Sequence, residues 1–180
     1  GLDYMAAPPS QAAVPSPFDY AEQTRVYVVS DIDKNNPDQL ATAYRELMKA
    51  SGGGALGLFT SIARLRQVHQ RLADTPEMEK LMLLAQHVDP LDTGTLVDIF
   101  RAEENACLLG TDAVRDGIDV PGRALRLVVY DRVPWPRPTI LHKTRKVDFE
   151  ERHFGAKYDD MLTRLRLKQA YGRLVRRADD

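Results

Sequence analysis

A single cysteine, Cys107, among 180 residues leaves the chain no internal disulfide. It sits in the apolar run ACLLG, where a buried strand thiol is expected rather than a nucleophile or a ligand. Histidine is almost as scarce, at 4, and His142 and His153 have no metal-ligand spacing with Cys107 or with each other. They read as surface or cap residues, and no metal site is expected. No apolar run approaches the ~20 residues that span a bilayer, and the first residues lack the charged-then-apolar pattern of a secretory leader; a cytoplasmic protein is the expectation. Net charge is nearly absent too, with 25 Lys and Arg against 26 Asp and Glu, but its distribution is uneven. From Lys143 to Arg177 there are 11 basic and 5 acidic residues, so this stretch carries +6 and the remainder −7. The asymmetry predicts a basic surface, either a solvated helix face or an anion-binding one.

What is present is a hydrophobic content of 43%, enough for one domain with one sizeable core. Residues 1–24 are rich in Ala, Pro and Ser, and Pro8, Pro9, Pro15 and Pro17 exclude a regular helix; they read as a connector to a domain over 25–180. Arg25–Ser30 alternates and is β-branched, which predicts a short strand. Pro37–Ser51 has helical spacing through Leu40, Tyr44 and Leu47, and Gly52–Gly54 ends it as a turn, since a phosphate loop would follow a strand rather than precede one. Strands Ala55–Phe59, Leu81–Ala85, Ala106–Leu109 and Leu127–Tyr130 alternate with helices Ile62–Ala73 and Thr93–Ala102, and a long helix closes the chain over roughly Tyr158–Ala178. Short continuous Leu/Val runs between helices are the pattern of parallel strands covered on both faces, so an α/β fold is expected.

Ligands of an open parallel sheet collect where the strands end. Thr60 and Ser61 follow one strand, with Arg64 close by, and Thr111 follows another; their hydroxyls can contact a ligand or cap helices. Gly117 and Asp119 read locally as a turn glycine and a turn or N-cap acid. Trp135, between prolines and beside Arg132 and Arg137, can stack on a base or plug the edge of the core. In the last helix Gln169, Arg173 and Arg176 stand at i, i+4 and i+7, opposite Leu167, Tyr171 and Leu174. Two guanidinium groups on one face suit the spread negative charge of a transferring phosphoryl group.

These residues carry a family resemblance. Q-x-x-G-R-x-x-R at Gln169–Arg176 resembles motif VI of superfamily 2 helicases, and T-D-x-x-x-x-G-I-D at Thr111–Asp119 resembles their motif V. Val120–Gly122, LRLVVYD at Leu125–Asp131 and PWPRP at Pro134–Pro138 follow in the order of the DinG/XPD branch, while SPFDY at Ser16–Tyr20 and GGGALGLFTS at Gly52–Ser61 resemble its domain start and motif IV. The chain departs from that pattern at Arg115 and Asp116, where an aromatic and a Glu are usual, and at Trp135, usually Phe.

The resemblance implies a RecA-like parallel sheet with helices on both faces, the second motor domain of a P-loop NTPase type of ATP-dependent DNA helicase. It implies Arg173 and Arg176 as arginine fingers, Gln169 near the attacking water, and Gly117 and Asp119 against ATP. Thr60, Ser61 and Thr111, helped by Arg64, would meet the phosphates of single-stranded DNA. Neither a G-x-x-x-x-G-K-[ST] loop nor a D-E-x-H box is present, so ATP and Mg²⁺ would be held mainly by an N-terminal RecA-like domain, the implied partner. Gly1–Asp3 resembles the segment that follows that first domain. An iron–sulfur cluster, common in the family, would lie outside a chain with one cysteine. Two other readings fit the same residues: a non-catalytic nucleic-acid or protein-interaction module, and an RNA-directed motor.

Overall fold

The computed structural model describes residues 24–111, 114, 124–135, 139–152 and 157–174; of 140–142, 150–152 and 168–174 it describes the backbone. Helix α1 covers Pro37–Ser51. Its start is written locally: Pro37 presets the first turn, and the Asn36 side chain accepts from the N–H groups of Asp38 (3.0 Å) and Gln39 (3.3 Å). Its end is a left-handed Gly52 (φ 65°) whose N–H bonds the Lys49 carbonyl at 3.2 Å. Leu40, Ala41, Tyr44 and Met48 form its buried stripe.

Strand β1 (Ala55–Leu58), helix α2 (Ile62–Ala73), strand β2 (Met82–Ala85), helix α3 (Thr93–Ala102), strand β3 (Ala106–Gly110) and strand β4 (Leu127–Tyr130) follow, with helices α4 (Ile140–Arg152) and α5 (Tyr158–Leu174) last. The four strands form one sheet in the order β2-β3-β1-β4, every pair parallel. From β1 to β2 the chain steps one way across the sheet, and from β2 to β3 it steps back. Right-handed crossovers therefore place α2 and α3 on opposite faces. The packing agrees: Ala55, Phe59, Cys107 and Leu109 join α1 and α2 in one core, while Leu56, Leu58, Ala106 and Leu108 join Leu96, Val97 and Phe100 of α3 in the other. Alternate side chains feed the two cores, which is why the strands read as unbroken apolar runs. Cys107 is fully buried, and that burial pushes its thiol up to about 11.

Gly53 marks the tightest backbone approach. Its φ of 97° is left-handed, and a Cβ there would stand 2.6 Å from the backbone of Asn105. Gly53→Ala should lower stability by at least about 1 kcal/mol, read as a lower denaturation midpoint with an unchanged slope.

Three local readings differ. Arg25–Ser30 forms no strand; Val26, Tyr27 and Val28 are exposed, because β-propensity without a neighbouring edge makes no ladder. A 3₁₀ turn at Pro76–Lys80 and helix α4 were not expected from the sequence. Charged residues crowd α4, whose Val147 faces solvent, so no continuous apolar stripe announces it; it packs on α5 through Phe149 and Tyr158, with ring centroids 5.2 Å apart.

Candidate functional site

The residues that leave the four strands line the carboxyl edge of the sheet. Across it they run Gln86 after β2, Thr111 after β3, Thr60 two residues beyond β1, and Asp131 after β4. Ladder bonds extend into this rim: the N–H groups of Gln86, Phe59 and Asp131 bond Leu109 O (2.9 Å), Gly110 O (2.9 Å) and Leu58 O (3.1 Å). The rim is therefore as rigid as the sheet. Thr60 and Thr111, which stand far apart in sequence, leave adjacent strands, with Leu58 registered opposite Gly110.

Each threonine is held by a buried polar side chain on an edge strand. Asp131, whose side chain is fully buried, accepts from the Thr60 N–H at 3.2 Å, from the Thr60 hydroxyl at 3.4 Å and from Arg64 Nε at 2.6 Å. Arg64 also donates through Nη2 to the Lys34 carbonyl at 2.8 Å. Paired in this way, Arg64 fixes the start of α2 more than it adds free positive charge. Ser61 is the N-cap of α2, its hydroxyl oxygen accepting from the Arg64 N–H at 3.2 Å. Thr111 turns both its donors inward: its N–H and its hydroxyl both donate to Gln86 Oε1, each at 3.0 Å, and Gln86 Nε2 donates to Thr93 Oγ1 at 3.0 Å.

Beneath the rim, Tyr44 stacks on Phe59 at 5.0 Å, and its buried hydroxyl has no hydrogen-bond partner among the described residues. Burial first, and then the Asp131 carboxylate, push this phenol well above its usual range, with Arg64 opposing. It stays neutral at any physiological pH. On α3, the Thr95 N–H and hydroxyl hold the Asp92 cap below the usual carboxylate range.

Gln86 and Asp131 escaped the sequence reading. A usable signal was there: each is the first polar residue after an apolar strand, the same rule that singled out Thr111. The turn that aims Gln86 sideways depends on a left-handed His87 (φ 65°) and on Asp89 accepting from the Ala85 N–H at 2.7 Å, neither of which a composition pattern announces. Trp135 is 55% exposed, so it does not plug the core edge. Arg166 on α5 holds the adjoining loop by donating to the Pro134 carbonyl at 2.8 Å.

Gln169 and Arg173 lie one turn apart on the unbroken backbone of α5. Gly117, Asp119 and Arg176 lie outside the described residues, as do residues 1–23 of the expected 1–24 connector. The basic stretch is partly neutralised at Lys146, which pairs with Asp159 at 2.6 Å, while Lys143, Arg145 and Arg164 are exposed.

Comparison with known proteins decides the lineage: a helicase C-terminal domain model matches residues 44–180. The chain belongs to the helicase C-terminal domain family. All the candidate residues named from the sequence fall inside the matched stretch. Similar proteins include the ATP-dependent helicase DinG of Mycobacterium tuberculosis (strain H37Rv), 33% identical over 93% of this chain and 26% of its own length. The ATP-dependent DNA helicase YoaA of Escherichia coli K12 is 32% identical over 93% of this chain and 27% of its own. The 3'-5' exonuclease DinG of Bacillus subtilis (strain 168) is 30% identical over 96% of this chain and 20% of its own. The chain thus spans about a quarter of the length of the curated relatives it matches. A helicase C-terminal domain accounts for the parallel sheet with helices on both faces. Among the described residues no helix is long and apolar enough to cross a membrane.

Proposed function

We propose that this chain is the C-terminal motor half of an ATP-dependent DNA helicase, working in the cytoplasm with an N-terminal RecA-like domain of the same protein. One observation carries the reading: parallel pairing of β1 with β3 brings the motif IV-like Thr60 and Ser61 and the motif V-like Thr111 to one edge of the sheet. Residues that the sequence separates become a single rim. Rigid and polar, this rim suits a single strand gripped by its phosphates, and exposed Trp135, shortly after Asp131 in the sequence, offers an aromatic for a base to stack on.

ATP and Mg²⁺ would be held mainly by the N-terminal half, because this chain has no phosphate loop. Its own donor set fits a triphosphate's anionic oxygens: Gln169 and Arg173 are one turn apart on α5, and Arg176 is three residues further on. Guanidinium groups keep their charge and offer fixed donors there. In this reading Arg173 and Arg176 neutralise charge on the γ-phosphate, Gln169 orients the attacking water, and Gly117 and Asp119 close on the nucleotide. Arg64 and Asp131 set the position of the DNA rim.

The deciding experiment compares ATP hydrolysis by the full-length protein and by this chain alone, with single-stranded DNA or RNA added. We expect DNA-stimulated turnover from the full-length protein and none above background from the chain. Turnover by the chain alone would sink the two-half reading. Stimulation by RNA but not DNA would select the RNA-directed motor, and the absence of turnover in both would select a non-catalytic module.

A further inference from the structure

Resting on that reading, we propose that Gln86 is a positioning residue that restrains the DNA grip at Thr111 by competing with phosphate for its two donors.

The hydrogen-bond directions follow from the atoms. A backbone N–H can only donate, so the Gln86 atom 3.0 Å from the Thr111 nitrogen is the amide oxygen. The Thr111 hydroxyl lies 3.0 Å from that same oxygen, which only accepts, so the hydroxyl also donates inward. A hydroxyl has one proton. Phosphate oxygens only accept, so neither rim donor of Thr111 can serve a phosphate while Gln86 holds it; the hydroxyl presents lone pairs outward, the wrong polarity for an anion.

Gln86 is well placed to keep its hold. It is 6% exposed, its backbone N–H continues the ladder to Leu109 at 2.9 Å, and its Nε2 is anchored on Thr93. Water has little access to replace Thr111, and a buried carbonyl left without donors is unfavourable. A phosphate at this strand end must therefore displace an interaction that is already made. The grip is weakened at one point, as a motor that must release its track requires.

The prediction runs against the usual effect of deleting a buried polar group. In the full-length protein, Gln86→Met removes the acceptor, frees both Thr111 donors and should tighten binding of a fluorescent oligodeoxythymidine about fivefold while lowering the melting temperature. Thr111→Val, which removes the hydroxyl and keeps the backbone N–H, should change affinity little in the parent yet reduce the gain in the Gln86→Met background. Gln86→Glu keeps the acceptor, adds a negative charge and should weaken binding. Thr93→Val, which loosens the Gln86 anchor with little risk to folding, should tighten binding about twofold. A purely structural Gln86 predicts equal or weaker binding in Gln86→Met and Thr93→Val alike, and that result overturns the proposal. If the unsubstituted protein binds no single-stranded DNA, the helicase reading itself fails and this extension fails with it. Normal parental binding with no gain in either variant removes the extension alone.

Discussion

Replacing Arg173 or Arg176 by alanine in the full-length protein should lower ATP turnover by about a thousandfold, the scale at which an arginine finger acts in phosphoryl transfer. The transition state spreads charge over three equatorial oxygens, and a guanidinium answers it with several donors in one plane. A lysine at either position presents a compact ammonium on a flexible stem and should restore little of the loss. Phosphate release under saturating ATP and DNA is the measurement, with circular dichroism confirming that each variant is folded. Parental turnover in both alanine variants would mean that the helix carrying Gln169 and Arg173 does not face the nucleotide, and that the motif VI-like spacing is a surface pattern. Loss in only one of them would identify the single finger.

The second large effect concerns the frame of the rim. Asp131→Ala should destabilise the chain by roughly 3 kcal/mol, because removing one partner of a buried pair leaves the other charge uncompensated. The Arg64 side chain retains 18% exposure, so some solvation of the orphaned guanidinium places the figure at the low end of the usual range. Thr60 loses its two contacts with the Asp131 carboxylate in the same step. Asp131→Asn still offers a carbonyl oxygen to the Thr60 N–H but only a neutral partner to Arg64, and should cost about half as much. Denaturant unfolding reads both directly. A cost below about 1 kcal/mol for alanine, the value of an exposed pair, would show that solvent already screens the interaction and that β4 does not hold the start of α2.

Much of this molecule is written in short-range chemistry. Asn36, Pro37 and Gly52 delimit α1, Ser61 starts α2 and Asp92 starts α3, because a cap acts on N–H or carbonyl groups within a turn of itself. The apolar runs of β1, β3 and β4 announced strands covered on both faces, and the spacing of Gln169 and Arg173 announced a helix that the backbone bears out. The motif-like segments indicated the family by residue identity and spacing alone. Helix α4 stayed hidden because its stability comes from packing on α5 and not from a stripe of its own. The alternation of Arg25–Ser30 promised a strand that pairing does not supply.

Strand order was decided by the tertiary structure alone, and with it the pairing of polar groups along the rim. Thr60 meets Asp131 across 71 residues, Arg64 meets it across 67, and Thr111 meets Gln86 across 25. No local preference encodes such a contact. It exists only after β3 has inserted between β2 and β1 and β4 has added to the far edge, when parallel register brings the four strand ends level. The sequence by itself determined which residues were polar at the end of an apolar run; which of those hydroxyls still has a proton to offer depends on the neighbour that the folded sheet places beside it.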